Sequence, residues 1–218
     1  MRKSRICAVV VNNDPKTVKE VEPSVDLFEV RIDLIGEGWQ QLARQLHKPW
    51  IACNRMVVEG GQWWGSEARR IESLLQAAEM GADIIDIELN TKNLENVVKV
   101  VKKTTKCLLS CHDFEKTPSL DGMKEIVWRQ LRAGADICKV ITTARGFEDN
   151  LTVLQLIREF PDVKMIAFTM GSLGLMSRIL CPLVGGEFVY ASIEKGKESA
   201  QGQLAISEMI RIYEMIIE

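Results

Sequence analysis

The 218-residue chain carries only two histidines, His47 and His112. Most hydrolytic and metal-dependent chemistry recruits more imidazoles than that, so any proton transfer rests on very few groups. None of the six cysteines, at 7, 53, 107, 111, 138 and 181, forms a C-x-x-C pair, which removes the common thiol redox and zinc motifs. Cys107 and Cys111 lie four residues apart; on a strand that is about 13 Å, too far to bond or share a zinc. Most of the cysteines sit in apolar runs such as Ile6-Cys7-Ala8-Val9, which predicts buried, reduced thiols and a cytoplasmic location. No block of Lys and Arg stands out and the formal net charge is -2, so nucleic acid is not an expected partner. Neither G-x-G-x-x-G nor G-x-x-x-x-G-K-[ST] occurs, which argues against nucleotide use. No apolar run approaches the length of a membrane span. Arg2, Lys3 and Arg5 precede the short run Ile6–Val11, which ends at Asn12-Asn13-Asp14 and is too short for a signal-peptide core.

What is present is ordinary globular composition, 46% hydrophobic and 27% charged, enough to build a sizeable core without staples. Short Val- and Ile-rich runs alternate with amphipathic segments. Strands are predicted near 5–11, 26–34, 49–54, 83–89, 106–111, 136–142, 163–169 and 186–191. Helices are predicted near 15–21, 38–47, 66–80, 91–103, 119–133, 147–159, 172–180 and 203–217. Asp14-Pro15 and Thr117-Pro118 each offer an N-cap followed by Pro in the first turn, and Gly81 and Gly134 mark helix ends. Gly81-Ala82-Asp83-Ile84 recurs as Gly134-Ala135-Asp136-Ile137, and Asp26 opens a comparable strand. These spacings give about 27 residues per strand–helix step, which suits eight repeats of a parallel (β/α)8 TIM barrel. A doubly wound open sheet is the competing topology. No linker interrupts the pattern, so residues 1–218 read as one catalytic domain.

Strands buried on both faces should be continuously apolar, yet several here are charged. Glu29, Arg31 and Asp33 share one face at period two, as do Asp86 and Glu88. Lys139 stands alone inside an apolar strand, and His112 closes another. Buried charges must pair or face a solvated cavity, and a strand's carboxyl end is where barrel enzymes place chemistry. For Asp33, Asp86 and Glu88 an interior ion-pair network is the plain alternative. A buried lysine near cationic neighbours has its pKa lowered and can attack a carbonyl. The iminium formed acidifies a neighbouring C–H for a histidine to remove. Arg31, Arg55 and Arg178 can bind a carboxylate through paired hydrogen bonds. The residues therefore point to Schiff-base chemistry on a small anionic carbonyl compound; aldol cleavage, dehydration and isomerisation all fit.

Seven motifs in order resemble the type I 3-dehydroquinate dehydratase family, the Schiff-base barrels of the shikimate pathway. They are Glu29-x-Arg31-x-Asp33; Asn54-Arg55 with Glu59-Gly60-Gly61; Asp86-Ile87-Glu88-Leu89; Ser110-Cys111-His112-Asp113-Phe114 with Thr117-Pro118; Lys139; Met170-Gly171 with Gly174 and Ser177-Arg178; and Ser199-Ala200-Gln201-Gly202-Gln203. The resemblance implies that Lys139 forms the imine with 3-dehydroquinate, that His112 is the general acid and base, and that Glu59 orients His112. It implies further that Arg178, Ser199 and Gln203 bind the carboxylate side with Arg55 close by, and that Glu29 and Arg31 read the ring hydroxyls. It implies a homodimer, and neither a metal nor an organic cofactor. The segment 199–203 departs from the family's usual Ser-Ala-Pro-Gly-Gln lid by Gln201, and Cys111 is expected to point away from the cavity.

A Schiff-base aldolase on the same fold is the rival, favoured by Gly185-Gly186 near where barrels bind phosphate. A silent carboxylate-binding barrel is the other, opposed by the joint presence of Lys139, His112 and the lid. Asn150-Leu151-Thr152 reads as a chance glycosylation match, and Ser192-Ile193-Glu194-Lys195 as an isolated Ser-x-x-Lys. His47 reads as a helix-end surface residue, and Trp63 and Trp64 as packing on a helix rather than capping the site.

Overall fold

The computed structural model describes residues 5–217; Arg2 and Lys3 lie outside them. The elements run β1 (Ile6–Val10), α1 (Pro15–Val21), β2 (Leu27–Arg31), α2 (Ile32–Ile35), α3 (Trp39–Ala43), β3 (Trp50–Cys53), α4 (Glu67–Glu79), β4 (Ile84–Glu88) and α5 (Leu94–Val101). They continue with β5 (Lys106–His112), α6 (Leu120–Arg132), β6 (Ile137–Thr143), α7 (Glu148–Glu159), β7 (Met165–Met170), α8 (Leu175–Leu180), β8 (Val189–Ser192) and α9 (Ile206–Ile217). All eight strands are parallel, in the order β7-β6-β5-β4-β3-β2-β1-β8. The seam between β7 and β8 lacks a ladder but is bridged by the Glu187 N–H donating to the Met165 carbonyl at 2.8 Å. The result is the expected (β/α)8 barrel, nearly closed. No helix among the described residues is long and apolar enough to cross a membrane.

Local chemistry accounts for most of the boundaries. The Asp14 carboxylate accepts from the Thr17 N–H at 3.2 Å with Pro15 in the first turn of α1, a side-chain cap on otherwise unpaired helix amides. The second predicted cap shifts by two residues: Ser119, not Thr117, accepts from the Gly122 N–H at 3.2 Å and opens α6. Thr117 instead bonds the Thr143 carbonyl and the Thr142 hydroxyl of β6. Gly81 and Gly134 follow α4 and α6 with φ of 96° and 95°, as expected of helix ends. Asp33 does not extend the strand face of Glu29 and Arg31, because the chain turns into the short helix α2 at Ile32.

The repeated Gly-Ala-Asp segment has a mechanical meaning. Asp26, Asp83 and Asp136 stand at the amino ends of β2, β4 and β6. Their carboxylates accept the first free N–H of the preceding odd strand: Ile6 at 2.8 Å, Trp50 at 3.0 Å and Cys107 at 2.9 Å. Each aspartate's own N–H returns to the carbonyl of that same residue. Three of the four alternate seams, β1–β2, β3–β4 and β5–β6, are thereby closed by one two-way clamp each at the amino end, the end of a barrel given over to stability. Glu187 repeats the backbone half of this pattern on Met165.

Inside the barrel the amino half is apolar. Leu27, Ile51, Ile84, Leu108, Ile137 and Ile166 belong to one buried cluster, each two residues upstream of an inward position nearer the carboxyl end. All six cysteines are free; five are buried and Cys111 is half-buried, packed against the outer core. Asn150 is also buried. Its amide donates to the carbonyls of Phe147 at 3.0 Å and Leu173 at 2.7 Å and its oxygen accepts from Ser177 N–H at 2.9 Å. The glycosylation match is thus a bolt between α7 and the β7–α8 turn. His47 lies beyond the end of α3, with its ring largely exposed beside Glu22. Trp63 lies against α4 and donates to the Ser66 carbonyl at 3.4 Å, whereas Trp64 is 84% exposed rather than buried against a helix.

Candidate active site

Strand ends and the loops that follow them enclose a cavity of about 430 Å³ at the carboxyl end of the barrel. All nine residues singled out from the sequence line it: Glu29, Arg31, Arg55, Glu59, His112, Lys139, Arg178, Ser199 and Gln203. Lys139, on β6, points inward, with Nζ 2.9 Å from Asp86 Oδ2 and 3.5 Å from Glu29 Oε1. Its ammonium sits 4.4 Å over the ring of Tyr190. The expectation of a lysine with lowered pKa is not met. Burial and Arg55 do push it down, but Asp86 and Glu29 outweigh them and hold the ammonium above its ordinary range. Asp86 in turn is held far below the usual carboxylate range by Arg55 and Lys139, against its burial.

His112 is the last residue of β5, and its Nδ1 lies 2.9 Å from Glu59 Oε2. Burial, Arg55 and Lys139 keep the imidazole well below its ordinary pKa, and hence neutral. Glu59 is pushed up to about 7, first by burial and then by Glu88 and Asp86, with Arg55 opposing. Near neutral pH the pair therefore holds about one proton at most. Gly60, next to Glu59, has φ of 79°, and a Cβ there would come within 2.6 Å of the Phe114 ring. Only glycine lets Phe114 close over the loop and stack beside His112, centroids 6.0 Å apart.

The inward acids now have partners. Asp33 takes both prongs of Arg31, at 2.9 and 2.7 Å, and accepts the Gln62 N–H at 3.0 Å, tying the loop that carries Glu59 to β2. Arg55 is committed to Asp86 and Ser110, both at 2.6 Å, and lies 3.5 Å from Glu88. Ser110 also donates to Asp86 at 2.6 Å. Glu88 accepts from the Met56 N–H at 3.2 Å and from Arg70 of α4. The interior ion-pair network is real, and it holds Lys139.

Arg178, on α8, differs from the other arginines. It is 1% exposed, with its guanidinium 4.3 Å over the Phe168 ring and one hydrogen bond, from Nη2 to the Gln201 carbonyl at 3.1 Å. Its Nε has no partner. Burial without a counter-charge brings its pKa down to about 10. The 199–203 segment lies across the cavity, the Ser199 N–H and hydroxyl both donating to Gln203 Oε1 at 2.8 and 3.2 Å. Glu29, Cys53 and Asp86 do bring three ligand-type atoms within 4.8 Å of one another. A cation already sits among them in Lys139, and burial keeps the Cys53 thiol protonated, so the donor set does not suit a metal.

Sequence reasoning missed Tyr190, Phe168 and Arg70. The first two could have been found as inward positions at period two on β8 and β7; Arg70 gave no signal, since an arginine on an amphipathic helix reads as solvated. An amine, a neutral imidazole with a carboxyl partner and a guanidinium lacking an anion surround one cavity. That set suits an anionic carbonyl compound.

The family model for type I 3-dehydroquinase matches residues 6–218. A 3-dehydroquinate dehydratase of Dehalococcoides mccartyi is 43% identical across 99% of this chain and 97% of its own length. One from Methanocaldococcus jannaschii is 36% identical across 97% of this chain and 98% of its own. Among solved structures, the 3-dehydroquinate dehydratase of Geobacillus kaustophilus matches with a TM-score of 0.84 at 26% identity, covering 99% of this chain and 92% of the other.

Proposed function

The chain belongs to the type I 3-dehydroquinase family, whose members are 3-dehydroquinate dehydratases, and from that premise we propose that it dehydrates 3-dehydroquinate to 3-dehydroshikimate through an imine on Lys139. The observation that carries the proposal is Lys139 facing, across one cavity, an Arg178 that is paired with no carboxylate and whose Nε has no partner. The substrate carboxylate supplies the anion that Arg178 lacks, with Ser199 and Gln203 beside it. Glu29 and Arg31 face the ring hydroxyls, and Arg55 stays with Asp86.

Attack on the ring ketone needs the free amine, so Lys139 must first release the proton that Asp86 and Glu29 help it keep. The same two carboxylates then stabilise the protonated imine, which carries the positive charge in the ammonium's place. Water leaves as the C=N bond forms. His112, neutral at working pH, removes a proton from the carbon next to the imine, and the C–H electron pair becomes the enamine double bond. Glu59 holds Nδ1 and steadies the imidazolium, as an acid supports a catalytic imidazole elsewhere. The enamine expels the β-hydroxyl, which takes the proton back from His112 and departs as water. Hydrolysis of the conjugated iminium frees Lys139 and the product. The imine supplies the electron sink, so the steps call on neither metal nor organic cofactor. The same reading puts the enzyme in the shikimate pathway, in the cytoplasm, as a single-domain homodimer.

Borohydride reduction in the presence of 3-dehydroquinate, followed by peptide mass mapping, tests this. Lys139 should carry the reduced substrate; an unmodified Lys139 in folded protein would sink the mechanism. His112→Ala should still trap the imine but form almost no conjugated product, and near-normal turnover would remove His112 from proton transfer.

A further inference from the structure

Arg70 lies on the outer helix α4, outside the ring of cavity-lining residues, yet it is completely buried. It makes five hydrogen bonds: Nε and Nη2 to Glu67 at 2.8 and 2.9 Å, Nη2 to Thr91 at 2.9 Å, Nη1 to the Asn54 carbonyl at 3.3 Å, and Nη1 to Glu88. Thr91 and Glu88 belong to the end of β4 and its loop, and Asn54 precedes Arg55. The contacts form one line: Glu67–Arg70–Glu88–Arg55–Asp86–Lys139, alternating in sign from the helix to the reacting amine.

A line of alternating charges fixes where its middle member spends itself. Arg55 stands between two carboxylates, 2.6 Å from Asp86 and 3.5 Å from Glu88. It favours Asp86 because Arg70 already neutralises Glu88. Resting on the Lys139 imine proposed above, we infer that Arg70 is a positioning residue for that step: it satisfies Glu88, keeps Arg55 on Asp86, and so limits how strongly Asp86 grips the Lys139 ammonium. The titratable and charged groups around Lys139 are Cys7 from β1, Glu29 and Arg31 from β2, Cys53 and Arg55 at the end of β3, Asp86 from β4, His112 from β5 and Tyr190 from β8. Of these, Arg55 is the cation whose placement Arg70 controls. Without Arg70, the Glu88 carboxylate draws Arg55 away from Asp86, the surroundings of Lys139 become more negative, and the ammonium gives up its proton less readily.

The test is the pH dependence of imine formation, read as Lys139 labelled by borohydride with 3-dehydroquinate in single-turnover quenches, together with melting curves. In wild type, labelling should rise with pH as Lys139 deprotonates. In Arg70→Met the rise should move upward by on the order of one pH unit, a tenfold slower labelling at fixed pH on the acid side. Arg70→Lys, which keeps the charge, should restore most of the wild-type profile. Arg70→Met/Glu88→Gln, which removes the opposed pair together, should restore the midpoint even if the protein melts lower. If Arg70→Met fails to fold, the double variant and Arg70→Lys against Glu67→Gln, which loosens the outer anchor, carry the same comparison. A uniform loss of rate at every pH, or a double variant that keeps the shifted midpoint, overturns the positioning role. Absence of any label in wild type would instead reject the Lys139 imine itself.

Discussion

Arg178→Met removes a guanidinium that the barrel buries at 1% exposure with one hydrogen bond and no counter-ion. Burial brings its pKa down from the ordinary guanidinium range to about 10, which corresponds to roughly 3 kcal/mol of lost stability while the group is charged. The unfolded chain keeps this proton up to the ordinary value, whereas the folded one gives it up from about 10. Stability therefore rises with pH only above about 10, and at neutral pH the whole cost is present. The methionine loses the stacking on Phe168, about 1 kcal/mol, and the hydrogen bond to the Gln201 carbonyl, about 1 kcal/mol. The balance is a protein more stable by about 1 kcal/mol, or about 2–4 °C in melting temperature at this size. Function should move the other way, since the substrate carboxylate loses its charged partner: KM should rise about a hundredfold. Thermal melts at neutral pH, with and without a saturating substrate-like carboxylate, and steady-state kinetics read both effects. The ligand should raise the melting temperature of wild type and leave that of the variant nearly unmoved. A variant that melts several degrees lower, or that keeps its KM, would show that Arg178 is a structural arginine rather than an anion seat held at the expense of stability.

Glu59→Gln should trade activity for stability in a pH-dependent way. The folded carboxyl at about 7 lies above its ordinary 4.5, so its destabilising effect is absent below the ordinary value and reaches roughly 3 kcal/mol above neutrality. Denaturant melts should favour the variant at pH 8 and lose the difference near pH 4, while kcat falls about 10²–10³-fold as His112 loses its anionic support; equal stability offsets at both pH values would refute the raised pKa. Asp136→Ala breaks the clamp on the Cys107 N–H and the ion pair with Lys102 at 2.8 Å. It should cost about 1–2 kcal/mol of stability with kcat and KM unchanged, and a kinetic defect would mean that the amino end of the barrel is not confined to stability.

The fold was legible because alternation and pitch are local: Val- and Ile-rich runs, capped helices and the Gly-Ala-Asp recurrence each report on a few neighbouring residues. The site was legible for a different reason. Charged residues inside strands that should be apolar can only face an interior: Lys139 stands within β6 and His112 at the carboxyl end of β5, both facing it. What the sequence hid is pairing. The sequence pattern sets Lys139 beside cations, but which charges meet depends on strand register and tilt, and these set Asp86 and Glu29 against it. Period two runs on past Arg31 and so places Asp33 on the strand, while backbone hydrogen bonding ends the strand at Arg31. Arg70 was invisible because its burial depends on Glu88, Thr91 and the Asn54 carbonyl, none of them near it in the chain.

The buried thiols make the barrel a recorder of its own breathing. Burial raises the pKa of all six, so closed molecules present almost no thiolate. A disulfide reagent such as dithionitrobenzoate then reacts only as fast as a strand parts from its neighbours. Cys7, Cys53, Cys107, Cys138 and Cys181 sample β1, β3, β5, β6 and the turn after α8, and half-buried Cys111 should react first. Filling the cavity should slow Cys53, which lines it, and leave Cys107, at the amino end of β5, closer to its unliganded rate.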